Sequence, residues 1–202
     1  MPRKSVSIRA LTVVLAVGAA MSSVGTATAA AESSSAAAPS SDLVPLISAL
    51  SERLAIADAV AAAKWGTGKP IDDPAREADV LRAVAEQARG QGLDPARVTQ
   101  IFRDQIEASK DVQRGLFAYW DVVPQAVPEP RPDLAAVRPV LDRLNAEIVT
   151  RTGEEKDVLA DPRCLSDLVA GAAEVVGAER PDVLHQAGLV RALRSVCGAV
   201  SG

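Results

Sequence analysis

Aromatic residues are nearly missing from this chain, which has 2 Trp, 2 Phe and 1 Tyr in 202 residues. Strands that pack through Tyr, Phe and Trp, and surfaces that stack nucleobases, therefore have little to be built from. Histidine is scarcer still. His185 is the only one, which excludes a multi-histidine zinc site and obliges any Ser-His-Asp mechanism to use that residue. A surplus of positive charge is also lacking, because the formal charge is −4. The chain has no general attraction to phosphate backbones or anionic membranes, so no nucleic-acid partner is expected. Any anion it binds must be held by a few placed cations. What is abundant is aliphatic: hydrophobic residues make up 48% and charged ones 24%, enough for one globular domain with a core.

Residues 1–30 carry Arg3, Lys4 and Arg9, an apolar run from Ala10 to Met21, and the small-residue exit Ala27-Thr28-Ala29. The run is short for a bilayer span and the ending suits signal peptidase, so the segment reads as a cleaved secretory signal. The alternative is an uncleaved anchor, against which Ser22, Ser23 and Thr26 interrupt the run. Cleavage removes three cations and no acids, taking the charge from −4 to −4 − 3 = −7. Residues 31–41 are a Ser/Ala-rich stretch expected to form a flexible tail, with the folded domain at 42–202. The mature protein is expected outside the cytoplasm, secreted or periplasmic, without membrane contact after cleavage. An oxidising compartment allows Cys164 and Cys197 to pair; two separate buried thiols are the alternative.

The remaining periodicity is helical, with apolar positions three and four apart and no convincing alternation. The class expected is all-α, a single domain of six helices at about 42–66, 74–90, 95–120, 133–151, 162–177 and 181–199. Asp73-Pro74, Asp94-Pro95 and Asp161-Pro162 each offer an N-cap carboxylate followed by a proline suited to the first helical position. Pro139 biases the residue before it, Arg138, away from helical geometry. A Pro-rich link from Val122 to Pro132 separates the first helices from 133–202, which read as buttressing helices, with little legible chemistry in residues 140–202. His185 reads as exposed or satisfied.

Three features fit an anion pocket, with two ordinary surface cations as the alternative reading of the first. Arg53 and Lys64 lie 11 residues apart, just over three whole turns, so both face one side of the first helix. Ala57, Val60 and Ala61 between them leave room against the backbone. On the third helix Phe102, Ile106, Leu116 and Phe117 mark a buried side, yet Gln105, Ser109 and Gln113 recur along it. Uncharged polar groups in such a stripe need partners, either one another or a polar ligand. Arg76 and Glu77, in the first turn after Asp73, read either as simple surface charges or as groups that close one end of the pocket, and Asp73 is adequately explained as a cap.

Taken jointly, Arg53, Lys64-Trp65, Pro70-Ile71-Asp72-Asp73-Pro74-Ala75-Arg76-Glu77, and Asp104-Gln105-Ile106-Glu107-Ala108-Ser109 with Gln113 resemble the secreted, all-helical chorismate mutases, the gamma subclass of the AroQ type. The likeness runs from about Leu43 through Trp120 and more loosely to Cys197. It implies an isomerase that converts chorismate to prephenate by an intramolecular [3,3] rearrangement, with no cofactor or metal. By similarity, Arg53 pairs with a substrate carboxylate, Lys64 reaches the ether oxygen and a carboxylate, and Gln113 is the second donor to that oxygen. Ser109 helps to hold a carboxylate, Arg76 is a further pocket arginine, and Asp73 and Glu77 meet the ring hydroxyl. Arg138 matches an arginine supplied by the following helix. Val80 departs from the pattern, standing where some members have a polar side chain. The resemblance also implies a Cys164–Cys197 disulfide and a homodimer with each pocket inside one subunit. The rival reading of the same cations is a secreted helical protein that captures a dicarboxylate without converting it.

Overall fold

The structure, a computed structural model, describes residues 42–199; the signal at 1–30 and the tail at 31–41 lie outside the described residues. Among the described residues seven α-helices follow one another: α1 (Val44–Lys64), α2 (Pro74–Gly90), α3 (Pro95–Val122), α4 (Leu134–Glu154), α5 (Lys156–Ala160), α6 (Cys164–Glu179) and α7 (Val183–Ala192). A single 3-10 turn at Pro124–Ala126 lies between α3 and α4, and the described residues contain no strand. The expected six helices become seven because the chain breaks after α4 and forms the short α5, which carries Leu159 into the core at 1% exposure.

Capping chemistry sets most of the starts. The side chains of Asp73, Asp94, Asp133 and Asp182 accept backbone N–H bonds from Arg76, Ala96, Ala135 and His185, satisfying donors that a helix start leaves open. Asp161 behaves differently. Its carboxylate accepts from the Arg163 N–H at 2.8 Å, but α6 begins only at Cys164, so Asp161-Pro162 forms a turn ahead of the helix. Arg138 and Pro139 lie inside α4, contrary to the expectation that the proline would bend Arg138 out of helical geometry. Ala135, whose carbonyl would have taken the missing proline N–H, is exposed and can give that oxygen to water.

The first helix is central, packing against α3, α4, α6 and α7. Its stripe of Leu43, Leu46, Ile47, Leu50 and Leu54 is at most 1% exposed, and each such side chain contributes about 1.5–3 kcal/mol. Helix α3 runs close to α7 because Gly115 and Gly188 carry no side chain there: a Cβ on Gly188 would lie 3.0 Å from both Leu54 Cδ2 and Val112 Cγ2. Ala57 and Ala61, expected to leave space for a ligand, are core residues instead. Ala61 and Ala62 pack with Trp120, Trp65 and Phe117. The Trp65 ring meets Phe117 edge-on at 4.9 Å and Trp120 at 5.6 Å. Three of the five aromatic residues thus anchor the end of α1, next to Lys64.

Helix α7 stops at Ala192 rather than near 199, since the chain must turn inward to bury Val196 and bring Cys197 to Cys164. That disulfide is formed, with Cα atoms 5.8 Å apart. Arg97 of α3 steadies the same segment by donating from Nη2 to the carbonyls of Ser195 and Cys197 at 3.0 and 2.9 Å.

Candidate active site

One cavity opens between α1, α2, α3 and α4. Arg53, Val60 and Lys64 reach it from α1, Ile71 and Asp73 from the following loop, and Arg76, Glu77 and Val80 from α2. Ile106, Ser109, Lys110 and Gln113 line it from α3, and Leu134, Val137, Arg138, Leu141 and Asn145 from α4. Arg53, Lys64, Asp73, Arg76, Glu77, Ser109, Gln113 and Arg138 therefore face the same space. Neither cysteine reaches it.

Arg53 is 5% exposed. Its Nε donates to Asn145 Oδ1 at 2.7 Å and its Nη1 to Gln105 Oε1 at 3.5 Å, and its Cζ lies 5.7 Å from the Phe102 ring centroid. Burial pushes the guanidinium down from its ordinary value, as does the nearby charge of Arg76, while Asp142 opposes them. Lys64, the last residue of α1, donates from Nζ to the Ile71 carbonyl at 2.8 Å. Burial also lowers its ammonium, against the opposing charges of Asp73, Asp72 and Glu77. Among the described residues no carboxylate lies within ion-pair distance of Arg53 or Lys64. A buried cation held only by neutral acceptors costs free energy until an anion joins it.

The remaining groups divide by their own bonds. Asp73 caps α2, and Glu77 Oε1 reaches back to accept the Asp73 N–H at 3.3 Å, an arrangement close to a capping box. Arg76 pairs with Asp142 at 2.7 Å and stands at the half-exposed edge. Exposed Arg138 lies on the α4 rim. The polar stripe of α3 splits. Ser109 and Gln113 line the cavity, whereas Gln105 is fully buried beneath Arg53 and serves as its acceptor. Gln113 Nε2 donates to the Ser109 carbonyl and Oγ at 3.2 Å each, leaving its buried Oε1 without a protein partner.

Two lining residues escaped the sequence reading. Asn145 lies in the stretch with little legible chemistry, and its one signal is a lone amide beside the apolar positions Val140, Leu141, Leu144 and Ile148. Lys110 carries no local signal that sets it apart from other cations of α3. Its side chain is nevertheless only 10% exposed, with Asp72 and Glu77 oxygens at 3.2 and 3.3 Å and Glu107 closer still.

Residues 45–114, which span α1, α2 and most of α3, match the family model described as chorismate mutase type II. The secreted chorismate mutase of Mycolicibacterium smegmatis is 38% identical over 179 residues, 89% of this chain and 96% of that protein. Its namesake from Mycobacterium tuberculosis is 35% identical over 161 residues, covering 80% of this chain and 81% of that one. The crystal structure of a chorismate mutase from Burkholderia thailandensis superposes with a TM-score of 0.74 at 40% identity, over 78% of this chain and 99% of that chain.

Proposed function

We propose, for a chain that belongs to the secreted chorismate mutases of the type II family, that the cavity between α1, α2, α3 and α4 is where chorismate is bound and rearranged. The enzyme is an isomerase that converts chorismate to prephenate. Its substrate carries two carboxylates and must fold into a compact, chair-like conformation while the ether C–O bond breaks and negative charge gathers on that oxygen. No nucleophile or proton transfer is required, so catalysis consists of holding that conformation and meeting the charge with donors already in place.

The observation that carries this reading is the pair of cations without carboxylate partners, Arg53 and Lys64, facing one cavity. The Arg53 fork, aimed by Asn145 and Gln105, suits a substrate carboxylate. Lys64 spends one proton on the Ile71 carbonyl and keeps two for the ether oxygen and a carboxylate. Gln113 is the second donor to the ether oxygen. Half a turn of its amide exchanges Nε2 and Oε1: Nε2 gives up the Ser109 carbonyl and turns to the substrate, while Oε1 accepts from the Ser109 hydroxyl. Glu77 and the Asp73 backbone take the ring hydroxyl, while Arg76 and Arg138 guard the open side.

The experiment mixes the purified mature chain with chorismate and follows loss of its absorbance, with prephenate identified as product. Lys64→Ala is expected to cut turnover by about 10²–10³, the cost of one preorganised donor, with an unchanged far-ultraviolet circular dichroism spectrum. Near-normal turnover in that variant overturns the role given to Lys64. The same reading has the protein exported through a cleavable signal at 1–30 and acting as a homodimer. Sequencing the N-terminus of the exported chain and measuring its mass in solution test these two parts.

A further inference from the structure

Lys110 belongs to α3, one residue after Ser109 and three before Gln113, and its stem is buried while its ammonium reaches the cavity wall. Two of its three carboxylate partners come from other elements: Asp72 from the loop between α1 and α2, and Glu77 from the first turn of α2. Asp72 is held a second time, by Arg114 Nη2 one turn further along α3, at 3.0 and 3.1 Å. The loop so pinned contains Ile71, whose carbonyl takes the Lys64 Nζ proton. Glu77, pinned by the same ammonium, accepts the Asp73 N–H. Both routes end on groups that face the cavity.

We propose that Lys110 is a positioning residue for the rearrangement, an ammonium clamp that ties the Ile71–Asp73 loop and Glu77 to α3 and so holds Lys64 and the hydroxyl-binding wall in register with Ser109 and Gln113. This rests on the assignment of the cavity as the chorismate site. A second consequence is electrostatic. The cavity must admit a dianion past Asp72, Asp73 and Glu77, and Lys110 supplies positive charge beside two of these carboxylates. An exposed ion pair would contribute little, but this side chain is 10% exposed and its ammonium is shared among three acids. Without it the loop's side-chain tie to α3 is reduced to the Arg114–Asp72 contact, and the carbonyl that orients Lys64 is held less firmly against that helix.

The test compares wild type, Lys110→Met, Lys110→Arg, Asp72→Asn and the Lys110→Met/Asp72→Asn double variant in steady-state chorismate turnover, with a thermal melt of each. Lys110→Met is expected to lower kcat/KM by roughly ten- to a hundredfold, the scale of a misplaced donor, and Lys110→Arg to recover much of that loss. Asp72→Asn is expected to cause a smaller loss that disappears in the Lys110→Met background. Unchanged kcat/KM in Lys110→Met overturns the clamp, and so does full additivity in the double variant, which would mean that Lys110 acts without Asp72. Should Lys110→Met fail to fold, exposed Asp72 decides alone: normal kcat/KM in Asp72→Asn overturns the proposal. Lys64→Ala keeps the two readings apart. If it is inactive while Lys110→Met is normal, only the clamp is lost; if both are normal, the cavity is not the reaction site.

Discussion

At the scale of single residues, the chemistry turns on which polar groups are left unmatched. Arg53 is nearly fully buried yet bonded only to the oxygens of Asn145 and Gln105, so an incoming carboxylate meets a fork whose desolvation has been met during folding. Gln113 supplies an amide where a carboxyl would donate only while protonated. The turnover rate is therefore expected to be nearly flat between mild acid and mild base, and to fall in alkali as Lys64, already lowered by burial, loses its proton. Gln113→Glu is expected to convert this to an acid optimum, with activity declining as pH rises through the introduced carboxyl's titration. A pH–rate profile of both proteins checks this, and a flat profile in the variant would count against Gln113 as an ether-oxygen donor. The spacing of Arg53 and Lys64 was legible because both sit on one helix, whose 3.6-residue turn sets their relative direction. Asn145 was not, since its partner lies 92 residues away and no local rule relates them.

At the scale of elements, His185 adds a charged contact between α7 and α1 to the packing of Gly188 against Leu54. The imidazole lies 3.0 Å from Asp58 of α1 through Nε2 and 3.0 Å from its own N-cap Asp182 through Nδ1. Asp58, then Asp182, raise the imidazole from 6.5 to about 9 against the opposing effect of burial. Because the folded value lies above the unfolded one, the stabilisation is fully present below pH about 6.5 and is lost as pH rises through about 9. It amounts to at most about 3 kcal/mol. The melting temperature of the wild type is thus expected to fall across that window, and His185→Gln to flatten the slope. Equal slopes in the two proteins would rule out this link. The helices themselves were largely readable because aspartate caps and apolar spacing are local. The exceptions were α5, the later start of α6 and the early end of α7, where burying Leu159 and Val196 and bringing Cys197 to Cys164 override local preference.

For the whole molecule, the Cys164–Cys197 bond ties the start of α6 to the segment that follows α7, closing a separation of 33 residues. On the loop-entropy model this contributes about 3–4 kcal/mol. Cys164→Ser/Cys197→Ser is expected to lose that stability in urea unfolding while kcat/KM for chorismate stays near wild type, because neither cysteine lines the cavity. A large fall in kcat/KM at temperatures where the variant is folded would show instead that the C-terminal helices help to shape the site. By itself the sequence determined the all-helical class, the main helix starts and the facing of Arg53 with Lys64. Each follows from periodicity or capping within a few turns of one chain segment. Only the tertiary structure decided that Ala57 and Ala61 are core, that Gln105 supports Arg53 from below, and that Lys110 reaches Asp72 and Glu77. Those outcomes depend on which surfaces of distant helices meet, and burial and charge pairing between helices set that, not the order of residues along either one.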